Sequence, residues 1–133
     1  MNTLLGKVLA VTAIRDIAEG IVDVLALEGH TATAASNAAH ALTTAQTFRP
    51  DVIILDASID DMEMFTFIET MRERLPSAMF IILALRLESA ESQKLMEMGI
   101  RNHLVAYFNV EDLLTEVASC VYYLNGWNEL QAG

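Results

Sequence analysis

Apolar residues are spaced along this chain in two alternating rhythms: short unbroken runs, and stripes that return every three or four positions. Lys7 to Thr12 is a nearly all-apolar run, the pattern of a strand buried on both faces, and Ile17, Ile21, Val24 and Leu25 follow at helical spacing. Gly29 ends that stripe, because glycine takes the left-handed turn that closes a helix. His30 to Ala34 predicts a weaker strand. Ser36 is placed to cap a helix bearing Ala38, Ala41, Leu42, Ala45 and Phe48, and Pro50 closes that unit. Asp51 to Asp56 contains Val-Ile-Ile-Leu and is the clearest strand in the chain. Phe65, Ile68, Met71 and Leu75 make a third helical stripe ended by Pro76, and Met79 to Ala84 predicts the next strand. Ser89 to Met98 predicts a helix stopped by Gly99, and Arg101 to Ala106 predicts the fifth strand. Asn109 then caps a last helix whose Val110, Leu113, Leu114, Val117, Val121 and Leu124 face inward.

Strands that alternate with helices call for a parallel sheet with helices on both faces, since parallel neighbours need right-handed crossovers. The predicted fold class is α/β: a flavodoxin-like doubly wound five-stranded parallel sheet, order 2-1-3-4-5, with five helices. In such a sheet the functional crevice lies at the carboxyl ends of the first and third strands, where the strand order reverses. That directs attention to Thr12, Ala13, Asp56, Ala84 and Ala106.

Composition narrows the class. With 133 residues, 53% of them apolar and 20% charged, the chain suits one soluble domain, placed at residues 6–124, with 125–133 as a C-terminal tail or the start of a linker. The apolar runs are strand-sized, far short of the roughly 20 residues of a membrane span. No basic segment, apolar stretch and cleavage site open the chain, so a cytoplasmic location is expected. The single cysteine, Cys120, agrees with a reducing compartment and falls on the inward stripe of the last helix. Eighteen Asp plus Glu against eight Lys plus Arg, a net charge of -10, argue against direct nucleic-acid binding, which needs clustered cations.

Four stretches then carry a likeness: Gly29 to Asn37 leading to Ala41 and Leu42, Arg49 to Asp56, Met98 with Gly99, and His103 to Val105 ahead of Glu111 to Leu114. Over nearly its whole length the chain resembles the receiver domain of bacterial two-component response regulators. The resemblance implies that Asp56 stands where the family's aspartate accepts a phosphoryl group from a partner kinase's histidine. It also implies that His103 stands at the switch position ordinarily held by an aromatic ring. Partners implied are signalling proteins, either a histidine kinase or an output partner, with a homodimer as a further arrangement. The family's contact face, formed by the fourth helix, fifth strand and fifth helix, would present Lys94 and Arg101 against Glu111, Asp112 and Glu116.

The remaining site positions depart from that family pattern. Thr12 and Ala13 replace the adjacent acids that hold Mg²⁺, Ala84 replaces the hydroxyl residue ending the fourth strand, and Ala106 replaces the lysine ending the fifth. Phosphoryl transfer rests on positioning and on neutralising charge, so losing two cationic groups and a hydroxyl leaves Asp56 a poor acceptor. The expected function is a degenerate pseudo-receiver acting through protein–protein interaction, with no enzymatic activity and no cofactor, Mg²⁺ included. Two rivals are a functional phosphoacceptor using Asp56 and a small-ligand sensor whose crevice is roomier around Ala13, Ala84 and Ala106.

Individual residues carry alternatives. Asp56 could hydrogen-bond loop amides or pair with Arg86 or Arg15, and Asp60 and Asp61 read as solvated loop acids rather than replacement metal ligands. His30, His40 and His103 lack zinc-ligand spacing. Met62, Met64 and Met96 are less easily buried than the other methionines and suit a binding surface. Tyr122, Tyr123 and Trp127 either pack back on the fold or form an interface.

Overall fold

Val52–Asp56 (β3) occupies the middle of the sheet because all five of its residues are buried, which an edge position could not provide. The computed structural model describes residues 5–105 and 107–132, the stretch 126–132 as helix backbone. Around β3 stand Lys7–Val11 (β1), Thr31–Ala35 (β2), Met79–Ala84 (β4) and Asn102–Val105 (β5), all parallel, in the order β2-β1-β3-β4-β5. This is the doubly wound topology expected from the alternation of runs and stripes. The helices are Arg15–Leu27 (α1), Ala38–Phe48 (α2), Met64–Arg74 (α3), Ser89–Glu97 (α4) and Val110–Ala132 (α5). The last continues past Leu124, where the apolar stripe ends. Among the described residues no helix is long and apolar enough to cross a membrane.

The two-residue strand period sorts the core into two layers. Leu9, Val11, Ile53, Leu55, Phe80 and Ile82 face α2, α3 and α4, meeting Ala41, Phe67, Met71 and Leu95. Val8, Ala10, Val52, Ile54, Ile81 and Leu83 face α1 and α5, meeting Ile21, Leu25, Leu113 and Val117. Cys120 belongs to this second layer, fully buried. Burial, with a smaller push from the Glu116 carboxylate, raises its thiol to about 12, so it packs as a small apolar residue.

Helix ends follow local chemistry. Gly29 (φ 98°) and Gly99 (φ 80°) take the left-handed conformation just after α1 and α4, and the next residues, His30 and Ile100, send their N–H groups back to Leu25 and Leu95. Asn109 caps α5 by accepting from Asp112 N–H at 2.8 Å. For α2 the cap is Asn37, whose side chain accepts from His40 N–H at 2.8 Å, and not Ser36. Ser36 instead donates its own N–H to His40 Nδ1 at 3.3 Å. Both residue types are good caps, and the extended backbone at Asn37 decides between them. Met64, read from sequence as hard to bury, is only 6% exposed because the first turn of α3 leans into the core.

His30, expected to open the second strand, stands just before β2 and is a buried polar residue. Its Nδ1 accepts the Gly6 N–H at 3.1 Å, tying the start of β1 to the α1–β2 turn. Burial lowers its pKa from the ordinary histidine value, against smaller opposing effects of Glu28 and the Gly6 hydrogen bond. The folded pKa lies below the unfolded one, so stability from neutral His30 is present above about pH 6.5 and is lost as pH falls. Urea unfolding should therefore weaken between about pH 7 and pH 5 more in the parent chain than in His30→Asn, which keeps an acceptor without a titrating ring. Parallel pH profiles for the two proteins would refute this role.

Candidate functional site

Thr12 and Asp56 end neighbouring central strands, which brings residues 44 positions apart into contact at the reversal of strand order. Both are buried, Thr12 at 3% and Asp56 at 7% exposure. Thr12 Oγ1 donates to Asp56 Oδ2 at 2.7 Å and accepts the Ile14 N–H at 3.2 Å. Asp56 Oδ1 accepts twice from Ser58, from N–H at 2.8 Å and from the hydroxyl at 2.6 Å. Each carboxylate oxygen therefore has a donor supplied by the chain itself, which satisfies a group that would be costly to bury alone. Of the alternatives open in the sequence, Asp56 takes the loop amide, joined by two hydroxyls, in place of an ion pair with Arg86 or Arg15.

Beyond Asp56 opens a crevice of about 440 Å³ lined in part by Ile14, Ser58, Ala84, Arg86 and Glu91. Ala84, 7% exposed, ends β4 on its wall and offers only a methyl group. Ala13 does not share this crevice. It is exposed and opens with Arg15 and His40 onto a separate groove along β2, so the expected single cavity around Ala13 and Ala84 is divided. The division arises because Thr12 turns inward to Asp56 and its neighbour turns out. Ala106 lies outside the described residues.

The loop after β3 holds a contact that no sequence signal announced. Asp61 reaches α2 and accepts the Ala38 N–H at 2.9 Å through Oδ1 and the Ala39 N–H at 3.0 Å through Oδ2. Those two N–H groups hold its carboxyl below the usual carboxylate range. A carboxylate at the positive end of a helix is favoured, and here it fastens the loop carrying Ser58 to α2. Asp60 is exposed. Among the described residues no three His, Cys, Asp or Glu side chains are grouped as metal ligands.

On the far side, His103 is exposed on β5, in register with Ile82 of β4. Lys94 Nζ stands 4.3 Å from the centroid of the Phe65 ring, a cation–π contact that docks α4 on α3. Arg101, Glu111 and Asp112 are exposed, and Glu116 accepts from the Asn102 amide at 3.4 Å. Val105 (52% exposed) and Met96 (65%) add apolar surface to this side. Tyr122 and Tyr123 are 71% and 60% exposed, so neither packs back on the fold, and the Trp127 side chain lies outside the described residues.

The Thr12 hydroxyl has a measurable role. Thr12→Val keeps the shape and removes the donor to Asp56, and a hydrogen bond to a buried charged group should cost about 1.5–3 kcal/mol when lost. Thr12→Ser should lose less than half of that. Urea titrations of both variants test the bond, and a Thr12→Val protein as stable as the parent would mean that Ser58 satisfies Asp56 without help.

The model of the response regulator receiver domain family matches residues 8–118. No curated protein sequence matches the chain. Among solved structures, the chemotaxis response regulator CheY4 of Vibrio cholerae is 28% identical, with a TM-score of 0.78 over 87% of this chain and 98% of that one. A CheY-like response regulator receiver domain protein of Methanospirillum hungatei is 19% identical, with a TM-score of 0.85 over 92% of this chain and 98% of that one. NtrX of Brucella abortus is 16% identical, with a TM-score of 0.87 over 96% of this chain and 30% of that one. The last two likenesses concern the fold.

Proposed function

This chain belongs to the response regulator receiver domain family, and from that premise we propose that it works in two-component signalling as a protein-binding module in which Asp56 is a structural carboxylate. The observation that carries the reading is that both oxygens of Asp56 already accept from neutral donors of the chain, Thr12 on one and Ser58 on the other. A phosphoryl acceptor needs a free oxygen facing charge that neutralises the transferring group. Here the hydrogen-bond partners are neutral, Ala84 offers the crevice only a methyl group, and Arg86, which shares the crevice, makes no ion pair with Asp56.

The residues at hand do not fit Mg²⁺, which prefers several carboxylate and water oxygens in octahedral array. Asp56 is the one carboxylate among the strand ends β1, β3 and β4, and Asp61 is committed to α2. In this reading the domain acts without a metal and without catalysis. Exposed Arg101, Glu111 and Asp112, together with exposed Met96 and Val105, support the α4–β5–α5 side as the surface for a kinase, an output partner or a second copy. A cytoplasmic setting is part of the same proposal.

Incubation with acetyl phosphate and Mg²⁺ followed by intact-mass measurement tests it. The parent chain should keep its mass, as should Asp56→Asn. A phosphoryl adduct on the parent that Asp56→Asn abolishes would overturn the proposal and establish Asp56 as an acceptor.

A further inference from the structure

Among the described residues β2 pairs only with β1, and they leave its outer side without the usual protection. Thr31 N–H donates to Gly6 O and Thr12 N–H donates to Ala35 O, both at 3.1 Å. In a parallel ladder alternate residues face the same way, so Thr31, Thr33 and Ala35 face β1 while Ala32 and Ala34 turn their N–H and C=O groups outward. The chain closes this outward row at both ends: His30 N–H goes to Leu25 O at 3.0 Å and Ser36 N–H to His40 Nδ1 at 3.3 Å. Between the two closures the strand reads Thr-Ala-Thr-Ala-Ala, without the charged residues or proline that ordinarily keep one sheet edge from joining another.

A groove of about 490 Å³ follows this edge, taking in Thr33 and Ala34 with Arg15, Glu19 and Asp23 of α1 and His40 of α2. Because α1 and α2 lie on opposite faces of the sheet, a groove touching both runs along the edge itself. Arg15, Glu19 and Asp23 are spaced four apart and share one stripe of α1. The stripe is positive at its start and negative at its end, an order whose ends complement their own reversal.

We propose that two copies of this chain join edge to edge through β2, antiparallel about a two-fold axis at Thr33, into one continuous sheet. Ala32 exchanges N–H···O=C bonds with the partner's Ala34, and Ala34 with the partner's Ala32, on either side of a Thr33 pair. Each α1 then runs antiparallel to its counterpart, with Arg15 opposite the partner's Asp23. The two Glu19 carboxylates near the axis oppose the association and set its strength. This surface is distinct from the α4–β5–α5 side and leaves that side free for a signalling partner.

Sedimentation of the full chain over a concentration series tests the pairing. Ala34→Pro deletes an outward N–H without touching the β1 ladder, and should weaken the dimer by about tenfold or more. Arg15→Asp and Asp23→Arg should each weaken it, the two together should restore it, and Glu19→Gln should tighten it. The charge variants keep the test decisive if Ala34→Pro fails to fold. A parent chain that stays monomeric throughout the series would overturn the proposal. So would a dimer indifferent to Ala34→Pro and to both charge reversals.

Discussion

Thr12→Asp and Ala84→Thr, made together, are expected to convert Asp56 into a phosphoryl acceptor, modified by acetyl phosphate in Mg²⁺ about 10⁴-fold faster than the parent chain. Each preorganised group facing developing charge is worth about 100- to 1000-fold, and the two changes add a carboxylate beside Asp56 and a hydroxyl on the crevice wall that Ala84 forms. The Thr12 oxygen already lies 2.7 Å from Asp56, so an aspartate at position 12 sets two carboxylates against each other. Thr12→Asp alone should therefore lower stability in a chelator and regain it as Mg²⁺ is added, because an ion that binds only the folded state shifts unfolding by mass action. The parent should show no such response. An unmodified double variant that nevertheless binds Mg²⁺ would mean that the loop after β3, held to α2 by Asp61, also blocks the reaction.

Phe67→Ala should be the most damaging single change to stability, at about 3–5 kcal/mol. Phe67 is fully buried on α3 in the layer that includes Leu9, Ile53, Leu55 and Phe80. Its removal leaves a cavity that strands already paired on both sides cannot close. Against a total stability of about 5–15 kcal/mol for an ordinary domain, the variant should populate unfolded chain at modest urea concentrations. Phe67→Leu, which refills most of the volume, should lose less than half as much. Equal urea midpoints for parent and Phe67→Ala would mean that this layer is not the close-packed core described.

The architecture was legible because its determinants are local. The run from Val52 to Leu55 has to be a strand buried on both faces, and Gly29 and Gly99 have to end helices, whatever surrounds them. Five such units admit few arrangements, and right-handed crossovers select the doubly wound one. The departures at Thr12, Ala13 and Ala84 were equally visible, since they are matters of residue type. The cap of α2, expected at Ser36, falls on Asn37, because which of two adjacent cap-forming residues takes the extended backbone is not a matter of residue type.

The sequence by itself determined which segments are strands and helices, the topology that joins them, and which side chains stand at the strand ends. Only the tertiary structure decided what those side chains meet. Thr12 and Asp56 are 44 residues apart, Asp61 and the start of α2 are 22 to 23 apart, and Gly6 and His30 are 24 apart. The same holds for the burial of Met64, the separation of Ala13 from the crevice at Ala84, and the open row at Ala32 and Ala34. Periodicity reports the face a residue occupies on its own element. Hydrogen-bond partners, cavities and free edges depend on how distant elements are placed against one another, and that placement is set by the packing of the whole core.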